Sequence, residues 1–393
     1  MADGKLMSRA FVLAFCANTL HGLGFWAYLH LPGYLSGLGA EEFLVGIVVG
    51  IMAAAAIASR PLIGWLMDRR GRHVVVWIGS VLHVGVTLMY LSVDSIGPLL
   101  FVIRIVHGVA EGMLFASLFT IAADVVPAAR RTEGIALFGI SGMLPMALAS
   151  LLGDMLLSWG DYDTLFIVSS GMALVGGLCG VPLRDSRPAA EEGADPPPSF
   201  LTTVSRAQLR PLWLMGLAFS IAIASFLTFF KIYVETTGIG SMGLFFSLYS
   251  AAAIVLRIML GWVPDRLGPR LTLGPALGCL VVGLVVLAQA TGNGGIALAG
   301  ILCGTGHAFT FPILSALVVS RAQAQERGTA LSVFTALFDL GLLMGAPAFG
   351  AVLEHSDFPT MYFSAAVLLV VGGVAYAVWD RRVAPPVSRP SPS

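Results

Sequence analysis

Arg60, Gly64, Trp65, Asp68, Arg69 and Gly71 recur in the same order and spacing, 197 residues further on, as Arg257, Gly261, Trp262, Asp265, Arg266 and Gly268. A chain that repeats itself over half its length is built from two like units. Each copy stands where a long apolar run meets a short basic loop, so the repeated unit is embedded in a membrane. Composition points the same way. Of 393 residues, 57% are hydrophobic and 11% charged, too few polar groups to cover a globule of that size in water. A spanning helix needs about 20 apolar residues, and twelve such helices joined by short loops take up nearly the whole chain.

Apolar runs between polar breaks predict spans over 8–36, 43–66, 73–93, 98–126, 132–157, 162–183, 210–235, 241–264, 271–290, 294–320, 328–353 and 358–380. Basic residues fall in alternate loops: Arg69, Arg70 and Arg72, then Arg130 and Arg131, Arg184 and Arg187, Arg266 and Arg270, Arg321 and Arg327, and Arg381 and Arg382. The opposite loops carry Glu41, Glu42, Asp94, Asp161, Asp163, Glu354 and Asp357. By the positive-inside rule the basic loops and both termini are cytoplasmic. The expected fold class is therefore an all-α integral membrane protein of twelve transmembrane helices in two pseudo-symmetric six-helix bundles.

The bundles are expected at residues 1–185 and 209–383, with a cytoplasmic linker at 186–208 and a disordered tail at 384–393. The linker is poor in apolar residues and holds Pro196, Pro197 and Pro198, with a short amphipathic piece expected near 200–206. The first span is long enough to cross and is expected to stay as a helix rather than act as a cleaved signal. Cys16, Cys179, Cys279 and Cys303 lie inside apolar spans without ligand spacing and read as core residues. No metal or cofactor site is expected. Gly46 with Gly50 and Gly341 with Gly345, each four apart, offer close-contact faces on the second and eleventh spans.

The stretch Gly64-Trp65-Leu66-Met67-Asp68-Arg69-Arg70-Gly71-Arg72 resembles the signature loop between helices 2 and 3 of the major facilitator superfamily, and its second copy resembles the counterpart between helices 8 and 9. The resemblance covers the whole chain and implies that family's fold. It also implies a gate at the cytoplasmic face made by Gly64, Asp68, Arg69, Arg72, Asp124, Asp265 and Arg266. Asp68 would sit by the start of helix 11 near Arg327, Arg69 or Arg72 would pair with Asp124, and Asp265 would lie near Arg131 to Glu133. The second copy departs from the first. Pro269 stands where the first copy has Arg72, and Arg321 where it has Asp124, so a weaker or differently wired gate is expected there.

The fourth span carries Arg104, His107, Gly108 and Glu111 on one helical face. At 1.5 Å per residue from Pro98, Arg104 lies about 9 Å deep and Glu111 about 20 Å deep, near the midplane. Arg104 to Gly108 resembles the family's R-x-x-x-G motif, which implies proton coupling. A charge at that depth costs at least a few kcal/mol and is a functional candidate by default. Glu111, Asp339 and Arg104 are the expected coupling residues, a static Arg104 to Glu111 bridge being the alternative. Candidates for the solute cavity are His21, Trp26, His107, Glu111, Phe230, Lys231, His307 and Asp339. Lys231 and Glu235 read as an outer gate or as a surface ion pair of little energy, and His83 as a packed residue.

These features point to a secondary transporter of a small organic solute working by alternating access, with proton-coupled export first and proton-coupled uptake or a facilitative carrier second. A non-transporting membrane receptor is the reading of another class. No H-E-x-x-H, placed nucleophile or phosphate-binding Gly-Lys-Ser/Thr loop is present, which argues against an enzyme or an ATP-driven pump. Expected partners are the solute, protons and the lipid bilayer, with no nucleic acid, for a monomer in the bacterial inner membrane.

Overall fold

The computed structural model describes residues 7–127, 130–185, 200–323 and 326–383, without the side chains of 131–133, 136, 200, 201 and 265. Most of the expected linker and the whole of the expected tail lie outside the described residues. Among those described, twelve helices are long and apolar enough to span a membrane: α1 Arg9–Gly37, α2 Glu42–Arg70, α3 Arg72–Ser92, α4 Pro98–Val125, α5 Arg131–Trp159, α6 Tyr162–Gly180, α7 Arg210–Thr237, α8 Met242–Leu260, α9 Pro269–Ala288, α10 Asn293–Arg321, α11 Arg327–Glu354 and α12 Phe358–Val383. Helices are the only open-ended elements that satisfy every backbone group inside lipid. Val81, Ile258 and Leu271 are 73%, 69% and 71% exposed, apolar surface on the outside of the bundle that suits hydrocarbon and not water.

Local sequence accounts for the breaks. α1 tightens into a 3-10 turn at Ala27–His30 before resuming as Leu31–Gly37, because Pro32 has no N–H to give and its ring crowds the carbonyl four residues back. Gly71 and Gly268 hold φ of 98° and 90°, a backbone that side chains rarely tolerate, and they reverse the chain from α2 into α3 and into α9. The eighth run, read as one helix to residue 264, stops at Leu260 and restarts as the short helix Val263–Leu267, where Gly261 and Pro264 interrupt the ladder. A six-residue helix, Phe200–Ser205, precedes α7.

Two helix pairs form the seam between the halves: α2 against α11 and α5 against α8. Within each half the equivalent packing repeats, α2 on α4 in the first and α8 on α10 in the second. One end of the bundle, here the acidic rim, carries Glu41, Asp94, Asp161, Glu354 and Asp357, and the other, the basic rim, carries Arg69, Arg70, Arg266, Arg270, Arg381 and Arg382. On the acidic rim Asp161 caps α6. The backbone and hydroxyl of Thr164 donate to its carboxylate at 2.9 and 3.0 Å and hold it below the usual carboxylate range.

Candidate functional site

Both seams are close enough to require glycine. A Cβ on Gly46 would overlap the Ala346 carbonyl, one on Gly50 would stand 3.0 Å from the Leu343 carbonyl, and one on Gly350 would meet Glu42. All three lie in the half of α2 and α11 nearer the acidic rim. Toward the basic rim a Cβ on Gly64 would meet nothing within 4 Å.

At mid-span Arg60 of α2 crosses the seam to α11, donating to the Thr335 hydroxyl at 2.9 Å and forming an ion pair with Asp339. Glu111 of α4 lies within electrostatic reach of Asp339. Arg60 and Asp339 thus pair where the halves meet, with Glu111 in the electrostatic neighbourhood of the pair. Arg60 was legible as one of the six repeated identities but not as a site residue. Its repeat partner, Arg257 of α8, also crosses its seam, donating to Met143 Sδ of α5 at 3.0 Å and to the Ala308 carbonyl at 3.1 Å. One guanidinium has an acid and its twin has a thioether.

Arg104 does not form the alternative static bridge to Glu111. Its guanidinium is buried and donates to the Val48 carbonyl at 2.9 Å, the Val49 carbonyl at 3.3 Å and the Tyr90 hydroxyl at 3.3 Å, with no bond to Glu111. One turn on, a Cβ at Gly108 would overlap the Met52 carbonyl. The Arg104 to Gly108 motif thus fastens α4 to α2, the arginine bonding spare carbonyl lone pairs and the glycine letting backbones touch.

The histidines also turn inward. His21 of α1 faces His83 of α3, Nδ1 to Nδ1 at 3.1 Å, and Ser80 Oγ at 3.0 Å, while His107 Nδ1 meets the Tyr90 hydroxyl at 3.3 Å. One of the two facing nitrogens must carry the proton. These rings join α1, α3 and α4 inside the first bundle. In the second bundle His307 bonds the Tyr249 hydroxyl, and Phe230 stacks between Phe245 at 4.5 Å and Tyr233 at 5.7 Å. Trp26 donates to the Gly142 carbonyl at 3.2 Å, tying α1 to α5. Of the expected cavity residues, Asp339 stands at the seam with Glu111 within its electrostatic reach; His21, His107, Phe230 and His307 pack within their own halves.

The acidic rim carries closures that the sequence reading missed. Asp154, at the end of α5, accepts from the backbone N–H of Gly243 at the start of α8 at 2.6 Å, and Glu354, at the end of α11, accepts from that of Phe43 at the start of α2 at 3.0 Å. Donors and acceptors are each 200 residues apart, so the two closures are one device duplicated. A carboxylate at a helix start satisfies an orphan N–H and meets the positive end of the dipole. Asp154 is further held by His30, Nε2 to Oδ1 at 3.2 Å, while His30 Nδ1 faces the Ala27 carbonyl. Between them Tyr162 of α6 donates to Glu235 of α7 at 3.3 Å, and Lys231 pairs with Glu235 at 3.1 Å.

Such caps contribute about 0.5–2 kcal/mol each, and every 1.4 kcal/mol is about tenfold in population. Asp154→Asn combined with Glu354→Gln is expected to enlarge the rim-open population about tenfold. Spin labels at Glu41 and Asp357, exposed on opposite halves, would report it as a longer distance; an unchanged distribution would show that the caps do not hold the rim.

On the basic rim Arg72 pairs with Asp124, and its backbone N–H donates to Asp185 at 3.3 Å. Arg69 and Arg266 stack on Trp65 and Trp262 at 5.5 and 4.7 Å, a repeated contact. Asp68 is exposed at the basic rim and has a partner other than Arg327. The Asp265 and 131–133 side chains lie outside those described. The second copy is rewired as its substitutions required: Arg270 and Arg321 both bind Asp380 of α12, at 2.9 and 2.5 Å.

Comparison with known proteins agrees with this geometry. The sequence model of the Major Facilitator Superfamily matches residues 10–346 and 240–393. YhhS, an MFS-type transporter of Escherichia coli (strain K12), is 27% identical over 373 residues, covering 91% of this chain and 88% of that protein. A bacterial homologue of the human lysosomal transporter Spinster, solved inward-facing and unoccupied, superposes with TM-score 0.78 at 13% identity over 97% of this chain and 98% of its own. The nucleoside transporter NupG gives TM-score 0.78 at 15% identity over 94% and 99%. At those identities the two structures share the fold alone.

Proposed function

The chain belongs to the Major Facilitator Superfamily of transporters, and on that premise we propose that it exports a small organic solute in exchange for protons by alternating access. The observation that carries this reading is the pair of Arg60 and Asp339 at mid-span, on the seam that must shear when the halves rock, with Glu111 within its electrostatic reach. An ionisable trio at that depth is expensive unless it works. We assign the basic rim to the cytoplasm by its arginines, which makes the closed acidic rim the outer face and this an inward-facing state. The membrane is then the bacterial inner membrane and the working unit a monomer.

In alternating access, proton loading at Glu111 changes the charge that must be enclosed when the seam closes. With Arg60 and Asp339 paired, an ionised Glu111 leaves one net negative charge, and a protonated one leaves none. A cationic solute replaces the proton as the neutralising partner, which is exchange. A thermal-shift screen of solutes, followed by flux in proteoliposomes, tests the proposal. Vesicles with an acidic lumen are expected to accumulate the solute against its gradient. Accumulation only when the outside is acidic would make the protein a symporter, and flux indifferent to the pH gradient would remove proton coupling altogether.

A further inference from the structure

On the lipid side of the second half, next to the basic rim, α9 and α12 enclose a groove of about 170 Å³ lined by Arg270, Gly274, Leu277, Gly373, Tyr376 and Arg381, among others. Gly274 opens on empty space and Gly373 has only Leu277 near it, at 3.6 Å from a built Cβ. A narrow apolar crease therefore runs up from the basic rim. Leu271, Val374 and Val378, on the same helices, are 71%, 59% and 49% exposed, so the crease opens to hydrocarbon.

Its mouth is cationic. Asp380 is the one carboxylate there among the described residues, and it is shared by Arg270 and Arg321. Arg381 is exposed and has no ion pair among the described residues. Three guanidiniums around one carboxylate leave an excess of two positive charges, in a chain whose formal net charge is zero. Tyr376, 5% exposed, lines the groove, its buried hydroxyl lying among Asp380, Arg321 and Arg270.

We propose that this groove binds one anionic phospholipid of the cytoplasmic leaflet, its phosphate between Arg270 and Arg381 and one acyl chain in the Gly274–Gly373 crease. Basic pockets between spanning helices at that level suit anionic headgroups, and the crease supplies what a free phosphate has no use for. A zwitterionic lipid would bring its own cation to a site that already has two to spare.

The full chain, purified in detergent, is titrated with palmitoyl-oleoyl phosphatidylglycerol or palmitoyl-oleoyl phosphatidylcholine and examined by native mass spectrometry. One retained phosphatidylglycerol is expected, favoured about fivefold or more over phosphatidylcholine. Arg381→Gln, which leaves the Asp380 network untouched, and Gly274→Leu, which fills open space, should each bring the two lipids to parity. If Gly274→Leu does not fold, Arg381→Gln decides alone. Equal retention of both lipids, a preference that survives Arg381→Gln, displacement by an equal concentration of inorganic phosphate, or a second copy of the chain in place of lipid would each overturn the proposal.

Discussion

Glu111→Gln is expected to abolish solute movement driven by a pH gradient, down to the level of empty vesicles, while solute-for-solute exchange continues. The substitution keeps the shape of the side chain and removes its proton. Glu111 lies within electrostatic reach of Asp339, whose charge is met by Arg60, so it is the member of the trio without a guanidinium of its own. If it carries the coupling proton, fixing it in a neutral form freezes the energy transfer but leaves the solute path intact. The paired assay is proteoliposome accumulation under an imposed gradient and counterflow without one. Gradient-driven accumulation at the normal rate would remove Glu111 from the coupling step, and loss of counterflow as well would make it a solute ligand.

Arg60→Met is expected to cost roughly 2–4 kcal/mol of stability, with most of it regained on adding Asp339→Asn. Removing one partner of a low-dielectric ion pair strands the other charge, and the stranded charge is the larger part of the penalty. The flanking exposures, 32% for Arg60 and 25% for Asp339, place the pair in a partly open setting and the cost toward the lower end of the buried range. The double variant replaces an ion pair with two neutral groups, and the cycle isolates their coupling. Detergent thermal melts of the four proteins provide the readout. Additive losses would show that Arg60 acts through Thr335 or packing instead. Arg257→Met, at the twin position without an acid, should be milder because it strands no carboxylate.

Spans, repeat and family were readable because lipid demands long apolar helices and duplication leaves identities in register. The placement of side chains around each helix was not. In water an amphipathic stripe tells which face is inside; in a bilayer the lipid-facing and bundle-facing arcs are both apolar. His21, His107 and Phe230 could therefore be assigned a depth from sequence but not a direction, and they face their own bundles. The partners of Arg104 were hidden for a related reason: carbonyl oxygens of a neighbouring helix leave no trace in the sequence of their owners. Asp154 and Glu354 escaped notice because each seeks a backbone N–H, a partner every residue but proline possesses. The repeat itself held a clue, since two acids spaced alike in the two halves sit at equivalent helix ends. Arg60 had such a clue as well, conserved between the copies yet placed inside an apolar run.

The three glycine contacts near the acidic rim also set a lever arm. α2 has 29 residues, and from Gly46 to Arg70 it runs about 36 Å at 1.5 Å per residue. Swung by roughly 10° about that tight crossing, its far tip would travel about 6 Å, wide enough for water, while Arg60 would move about 3–4 Å, enough to part a guanidinium from its acid. A tilt too small to disturb either bundle would thus open a doorway and unlock the charge in a single stroke.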